Sequence, residues 1–314
     1  MISVLLALGL VTMGPQTGGR DRATLLADAA TAIAAGRRAD AKQSLKTAAD
    51  RFGSVTALLQ LARLQSGDGD AGGALESLQK ARALAPNSEE VLSAVAQLAL
   101  ATRQPVPAAG ALDALTRMCP DVAQYQYLFG VALMGAGDAV RATEALQAAD
   151  RLEPGRPLTL AAIGLALNNR KQFAEARGAL TRSLELDPEK PETLSALAEA
   201  EASLGDLKGA EQHARRALDG APGDATAHLV IGMVRLQDSR YEEARDALVK
   251  AAAADPQSPK ADYQLSLVYA RLGDTVSAER SLDSYRRKLA EQNDRVKAMR
   301  AGAPPRDGKP GGGG

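Results

Sequence analysis

The chain has 314 residues, and its 38 Lys+Arg balance 38 Asp+Glu, so it lacks the basic surplus with which nucleic-acid binders neutralise phosphates. Three Phe, six Tyr and no Trp leave alanine and leucine to build the core, which suits closely packed helices and supplies few strand formers. One Cys excludes an internal disulfide framework and any multi-cysteine metal site, and two His leave little for metal chemistry.

In chain order, residues 1–19 come first. An apolar run from Ile2 to Met13 is broken only by Ser3, Gly9 and Thr12, and no charged residue precedes Arg20. Twelve residues span about 18 Å as a helix, too short for a bilayer core of roughly 30 Å. The segment is therefore expected to be a signal peptide cleaved near Gly19, placing the protein in the periplasm or outside the cell. Because its n-region has no Lys or Arg, an apolar arm retained on a cytoplasmic protein is the alternative. No cysteine follows the run, so a bacterial lipoprotein anchor is not expected.

Residues 20–292 are governed by a period. Prolines stand at 86, 120, 154, 188, 222 and 256, each 34 residues from the next. Twelve positions before them stand Ala74, Ala108, Ala142, Ala176, Ala210 and Ala244, and the phase continues to Ala278. Eight before them come Leu78, Leu112, Leu146, Leu180, Ala214 and Leu248. Twenty-four before them come Ala62, Ala96, Gly130, Gly164, Ala198 and Gly232, each preceded by a larger apolar residue. A fixed spacing of this kind marks repeated supersecondary units.

Each unit reads as two antiparallel helices. Small residues let the helix backbones approach at their crossing, and the large apolar neighbours fill the space beside them. The proline ends the second helix, which it cannot continue. Gly-Asp pairs at 69–70, 137–138, 205–206 and 273–274 mark the inner turn of alternate units, glycine closing the first helix and aspartate capping the second. Arg103-Gln104, Lys171-Gln172 and Ser239-Arg240 take that place in the units between.

The last helix runs on, over residues 276–300. Leu282, Tyr285, Leu289, Val296 and Met299 form one stripe, ringed by Arg286, Arg287, Lys288, Glu291 and Asp294. A charged outer face over the last apolar surface is what caps a solenoid, although such a helix could also bind a partner. Residues 301–314 are rich in Pro and Gly and are expected to be a disordered tail.

With these units the chain resembles the tetratricopeptide repeat (TPR) family over about residues 22–292. Segments such as Ala225–Ser258 and Pro157–Lys190 carry almost the whole helix–turn–helix pattern. The family's usual Trp is absent, the unit at 89–122 has Pro105 and Pro107 in its inner turn, and the first unit, about 22–54, lacks the proline. The resemblance implies an all-α fold: a right-handed α-solenoid of about eight TPR helix–turn–helix units closed by an extended C-terminal helix.

Sequence signals of chemistry are weak. Gly67-Asp68-Gly69-Asp70-Ala71-Gly72 fits G-x-G-x-x-G, but it lies between two helices and lacks the strand that a nucleotide site requires. His213 and His228 fall on helices of adjacent units without further ligands, and Cys119 has no histidine placed to activate it. No enzyme activity, cofactor or metal is expected.

A function is expected on the first helices, which build the inner face of such a solenoid. The candidate groove comprises Tyr127, Val131, Met134, Leu158, Leu165, Asn168, Asn169, Leu229, Met233, Leu236, Tyr263 and Leu267, with the more polar Glu192, Ser195 and Glu199 between. The bland alternative is that these side chains pack between units and leave no continuous patch. The expected role is a noncatalytic scaffold in the bacterial cell envelope that binds a protein or peptide segment. The alternative is a cytosolic or membrane-associated assembly factor acting through its C-terminal helix or by self-association. Neither nucleic acid nor an integral membrane span is expected.

Overall fold

The computed structural model describes residues 21–300, with only the backbone of Arg295, Ala298, Met299 and Arg300. The expected signal peptide and tail lie outside the described residues. Within them every regular element is a helix. In chain order the helices run two to a repeat: α1 (Arg22–Ala34) and α2 (Arg38–Phe52), α3 (Val55–Gly67) and α4 (Ala71–Leu84), α5 (Glu89–Ala101) and α6 (Pro105–Met118), α7 (Ala123–Gly135) and α8 (Ala139–Leu152). The array continues with α9 (Pro157–Asn169) and α10 (Phe173–Leu186), α11 (Pro191–Leu204) and α12 (Leu207–Gly220), α13 (Ala225–Gln237) and α14 (Tyr241–Ala254), α15 (Lys260–Leu272) and α16 (Thr275–Arg300).

The helix ends follow from local chemistry. Asp70, Asp138, Asp206 and Asp274 each accept a hydrogen bond from the backbone N–H three residues on, satisfying an orphan donor of the second helix. The recurring prolines stand two residues beyond the ends of α4, α6, α8, α10, α12 and α14. Every inner turn passes through one left-handed residue: Gly36, Gly69, Arg103, Gly137, Lys171, Gly205, Ser239 and Gly273, all with φ between 54° and 86°. Glycine holds that conformation without cost, so Arg103, Lys171 and Ser239 are the strained members of the series.

The crossings are as tight as the residue sizes suggest. Ala74, Ala108, Ala142, Ala176, Ala210 and Ala244 are all fully buried. A Cβ on Gly130 would stand 2.5 Å from Leu146 Cγ, and one on Gly232 would stand 2.5 Å from Leu248 Cγ. In the sixth pair both partners are small, Ala198 and Ala214, and both are fully buried. Size is thus traded across the crossing within a unit.

The chain divides into two compact bodies, one through Ala94 and one from Val95, the division falling inside α5. In the N-terminal body α1 packs on α2, α2 on α3 and α3 on α4. In the C-terminal body each helix from α6 to α16 packs on the next, in the manner of an α-solenoid. The first helices α7, α9, α11, α13 and α15 also pack on one another in order, whereas no comparable packing joins α8, α10, α12 and α14. The shorter separation puts the first helices on the inside of the curve. A concave face lined by α7, α9, α11, α13 and α15 is the result.

Candidate partner-binding face

The inner face of the C-terminal body is assembled from the outward-turned sides of these first helices. On α9, Leu158 and Leu165 are exposed, at 55% and 37%, and Asn169 is exposed beside them. On α15, Tyr263 and Leu267 are exposed at 42% and 39%. Tyr127, Val131 and Met134 of α7 are half-buried. Carbon surface left in water carries a cost that covering it would relieve, at about 25 cal/mol per Å².

Other members of the expected groove are packing residues. Leu229 is buried in the cluster that α13, α14 and α15 build around Leu248 and Val268, so its assignment to the open groove is corrected. Met233 is half-buried against two neighbouring core clusters, and Leu236 packs on the second of them. Asn168 is buried as well, and its Nδ2 donates to the Ala196 carbonyl of α11 at 2.8 Å. That side chain ties adjacent first helices together and is likewise withdrawn from the open face. The apolar surface is therefore two patches, on α9 and α15, with α11 and α13 between them.

Between the patches the face is polar. Lys260, at the start of α15, pairs with Glu199 of α11, passing over α13. The Ser195 hydroxyl donates to the Asp224 carboxylate at 3.3 Å and is buried, so Ser195 too is withdrawn from the open face. Sequence spacing gave no sign of the Lys260–Glu199 pair, because the two residues lie two units apart.

A buried charge cluster also escaped the sequence reading. Arg235 of α13 is 5% exposed, and its guanidinium donates to both oxygens of Glu211 on α12, at 2.5 and 3.2 Å. Asp238 at 3.7 Å and Glu243 of α14 at 3.5 Å complete its surroundings. The hydrogen bond from Arg235 holds the Glu211 carboxyl below its ordinary range, with the charges of Arg235, Arg215 and Arg240 adding to the effect. One unit earlier, Glu201 occupies the same phase and meets His213 at 2.7 Å, as Gln65 meets Ser77 at 2.8 Å in the second unit. Both pairs have a spacing of twelve, a signal present in the sequence and readable as a buried polar contact.

The remaining motifs have structural roles. The glycine-rich run 67–72 is the α3–α4 turn, where Asp70 caps α4 and Asp68 pairs with Arg38 and Lys42. His228 makes a 3.0 Å hydrogen bond with the Pro222 carbonyl, and Cys119 is half-buried at the end of α6. Among the described residues no cluster of His, Cys, Asp or Glu is arranged to hold a metal, and no helix is long and apolar enough to cross a membrane.

Models of the tetratricopeptide repeat match residues 161–225 and 235–302. No curated protein matches the chain in sequence. Among solved structures, a tetratricopeptide repeat protein from Parabacteroides merdae is 16% identical with a TM-score of 0.57, covering 82% of this chain and 100% of that one. PilW, described as a type IV pilus biogenesis factor, is 19% identical with a TM-score of 0.53, covering 66% of this chain and 96% of its own. PilF from Pseudomonas aeruginosa is 20% identical with a TM-score of 0.51, covering 66% and 94%. These likenesses are of fold.

Proposed function

The chain belongs to the tetratricopeptide repeat family of protein-interaction scaffolds, and from that premise we propose that the concave face of its C-terminal body holds a segment of a partner polypeptide. The observation that carries this reading is the pair of exposed apolar patches, Leu158 with Leu165 and Tyr263 with Leu267, on the inner helices. The scaffold acts without catalysis: it holds its partner by burying carbon surface, and the polar groups between the patches fix register. An extended or helical segment that orders on binding loses conformational entropy, so affinity falls on the order of micromolar. Few charges line the patches, so binding depends weakly on salt. The proposed site of action is the bacterial cell envelope, on the strength of the charge-free run Ile2–Met13.

The test sets the inner face against the outer. Leu165→Glu with Leu267→Glu places two carboxylates where a partner must desolvate them. Both sites are exposed, so helicity and melting stay close to those of the parent. Leu186→Glu, on the second helix α10 at an apolar site still more exposed, is the control. Capture of partners from an envelope extract should fall about tenfold or more for the inner pair and hold for the control. Equal capture by all three chains would move the site off the concave face.

A further inference from the structure

Helix α16 has 26 residues where its antiparallel mate α15 has 13. Their pairing ends at the first turn of α15. There the Tyr263 and Tyr285 rings lie 5.3 Å apart, and Lys288 pairs with Asp262, both side chains nearly enclosed. Beyond Lys288 the helix passes the α14–α15 turn, with which Glu291 and Gln292 line a shallow hollow, and its last turns then have no further mate in their own unit. Val296 is nevertheless half-buried. A Cβ on Gly137 would stand 2.9 Å from Val296 Cγ2 and 3.9 Å from Val296 Cβ.

Gly137 lies in the α7–α8 turn, four units earlier in the same body. The inner-turn glycines at 36, 69, 205 and 273 have nothing within 4 Å of such a Cβ, so Gly137 alone among them is covered. From Lys288 to Val296 a helix rises only about 12 Å. The curve of the solenoid therefore brings the α7–α8 turn to within about two helical turns of the start of α15. The distal part of α16 crosses that gap between the two ends of the concave face.

We propose that this distal part, from Leu289 onward, is a built-in strap: it closes the mouth of the concave face, and a partner segment must displace it to enter. This rests on the reading of that face as the partner site. The strap also indicates the kind of segment the site takes, an amphipathic helix with an aliphatic side chain at the Val296 position and a charged outer side. Glu291, Gln292, Asp294 and Lys297 supply that outer side here, and all four are exposed. The Tyr263 ring, half of the α15 patch, is already engaged by Tyr285 of the same helix.

The experiment uses the full chain with Cys119→Ser, carrying Gly137→Cys and Val296→Cys. A Cβ separation of 3.9 Å lies in the range that a disulfide spans. Mild oxidation is expected to close an intramolecular cross-link, while Gly205→Cys with Val296→Cys, joining the strap to an uncovered turn, stays open. Absence of the first cross-link while its thiols remain reactive overturns the strap. Amide exchange on the chain without cysteine substitutions provides a second reading. Val296→Asp should speed exchange over residues 289–297 and, far away in sequence, over the α7–α8 turn. An unmoved turn also overturns the strap. The gating part is read with a labelled peptide of residues 285–300 as probe, expected to bind the Val296→Asp chain at least about tenfold more tightly than the oxidised cross-linked chain. A cross-linked chain that takes the probe as well as the open one overturns the gate. The inner-face reading itself stands or falls separately, with Leu165→Glu and Leu267→Glu.

Discussion

At the scale of single residues, the inner turns offer a built-in comparison. Gly205 has φ +86° and no atom within 4 Å of a Cβ placed there, so Gly205→Ala costs only backbone strain. We expect a loss of about 1 kcal/mol in denaturant unfolding. Lys171 sits at the equivalent point with φ +60°, so Lys171→Gly relieves strain and loses some of that gain to the freer unfolded chain. The net expectation is a gain of about 0.5–1 kcal/mol. Opposite signs for the same turn geometry are the check; equal signs would mean that side-chain contacts dominate.

The Glu211–Arg235 pair gives a pH-dependent prediction at the same scale. The folded carboxyl titrates below its ordinary 4.5, so its contribution is complete above that pH and is lost as pH falls through the depressed value. Arg235 stays charged throughout. Glu211→Gln removes the charge and one of the two acceptors, leaving a nearly enclosed guanidinium with a single amide oxygen and the longer ion pairs to Asp238 and Glu243. The variant should be about 1–3 kcal/mol less stable at neutral pH. The gap between variant and parent should narrow below pH 4.5, as measured by urea unfolding across that range. A gap independent of pH would assign the loss to packing.

At the scale of elements, the unit is a pair of helices whose crossing sets its spacing. Ala176 is fully buried, and Ala176→Leu forces the α9–α10 pair apart, with an expected loss of roughly 1–3 kcal/mol. Gly232→Ala is the subtler probe. Its methyl meets Leu248 Cγ at 2.5 Å, so it should destabilise although alanine is the better helix former. Leu248→Ala alone opens a cavity and costs about 2–5 kcal/mol; combined with Gly232→Ala it recreates the small–small pairing that Ala198 and Ala214 already use, so the double variant should lose less than the sum of the two. Additive losses in the double variant would refute the crossing as the cause.

At the largest scale, the curvature of the C-terminal body sets what the proposed binding face presents. Within the C-terminal body the first helices pack on one another and the second helices do not, so the apolar patches of α9 and α15 turn inward together. The glutamate pair Leu165→Glu with Leu267→Glu tests that face, and the cysteine pair tests the strap across it. The same curvature explains why Lys260 reaches Glu199 over an intervening helix. Distance along the chain and distance across the concave face are unrelated quantities in such an array.

The 34-residue phase of proline, alanine and leucine determined the helices, the pairing within a unit and the turn chemistry. All of these depend on contacts between residues fewer than about 34 apart, which repeat and so reinforce one another in the sequence. The cap at Asp206 and the tight crossing at Gly232 were legible for that reason. The open face was only half legible. Leu165 and Met233 both read as apolar groove positions and stand at the same place in the repeat, 68 residues apart, yet one is exposed and the other half-buried against two core clusters. Their position in the unit does not distinguish them; how closely the neighbouring units lean over them does. That lean is a property of tertiary stacking, as are the meeting of Val296 with Gly137 and the bridge from Lys260 to Glu199. None of these contacts repeats with the period, so only the folded chain could decide them.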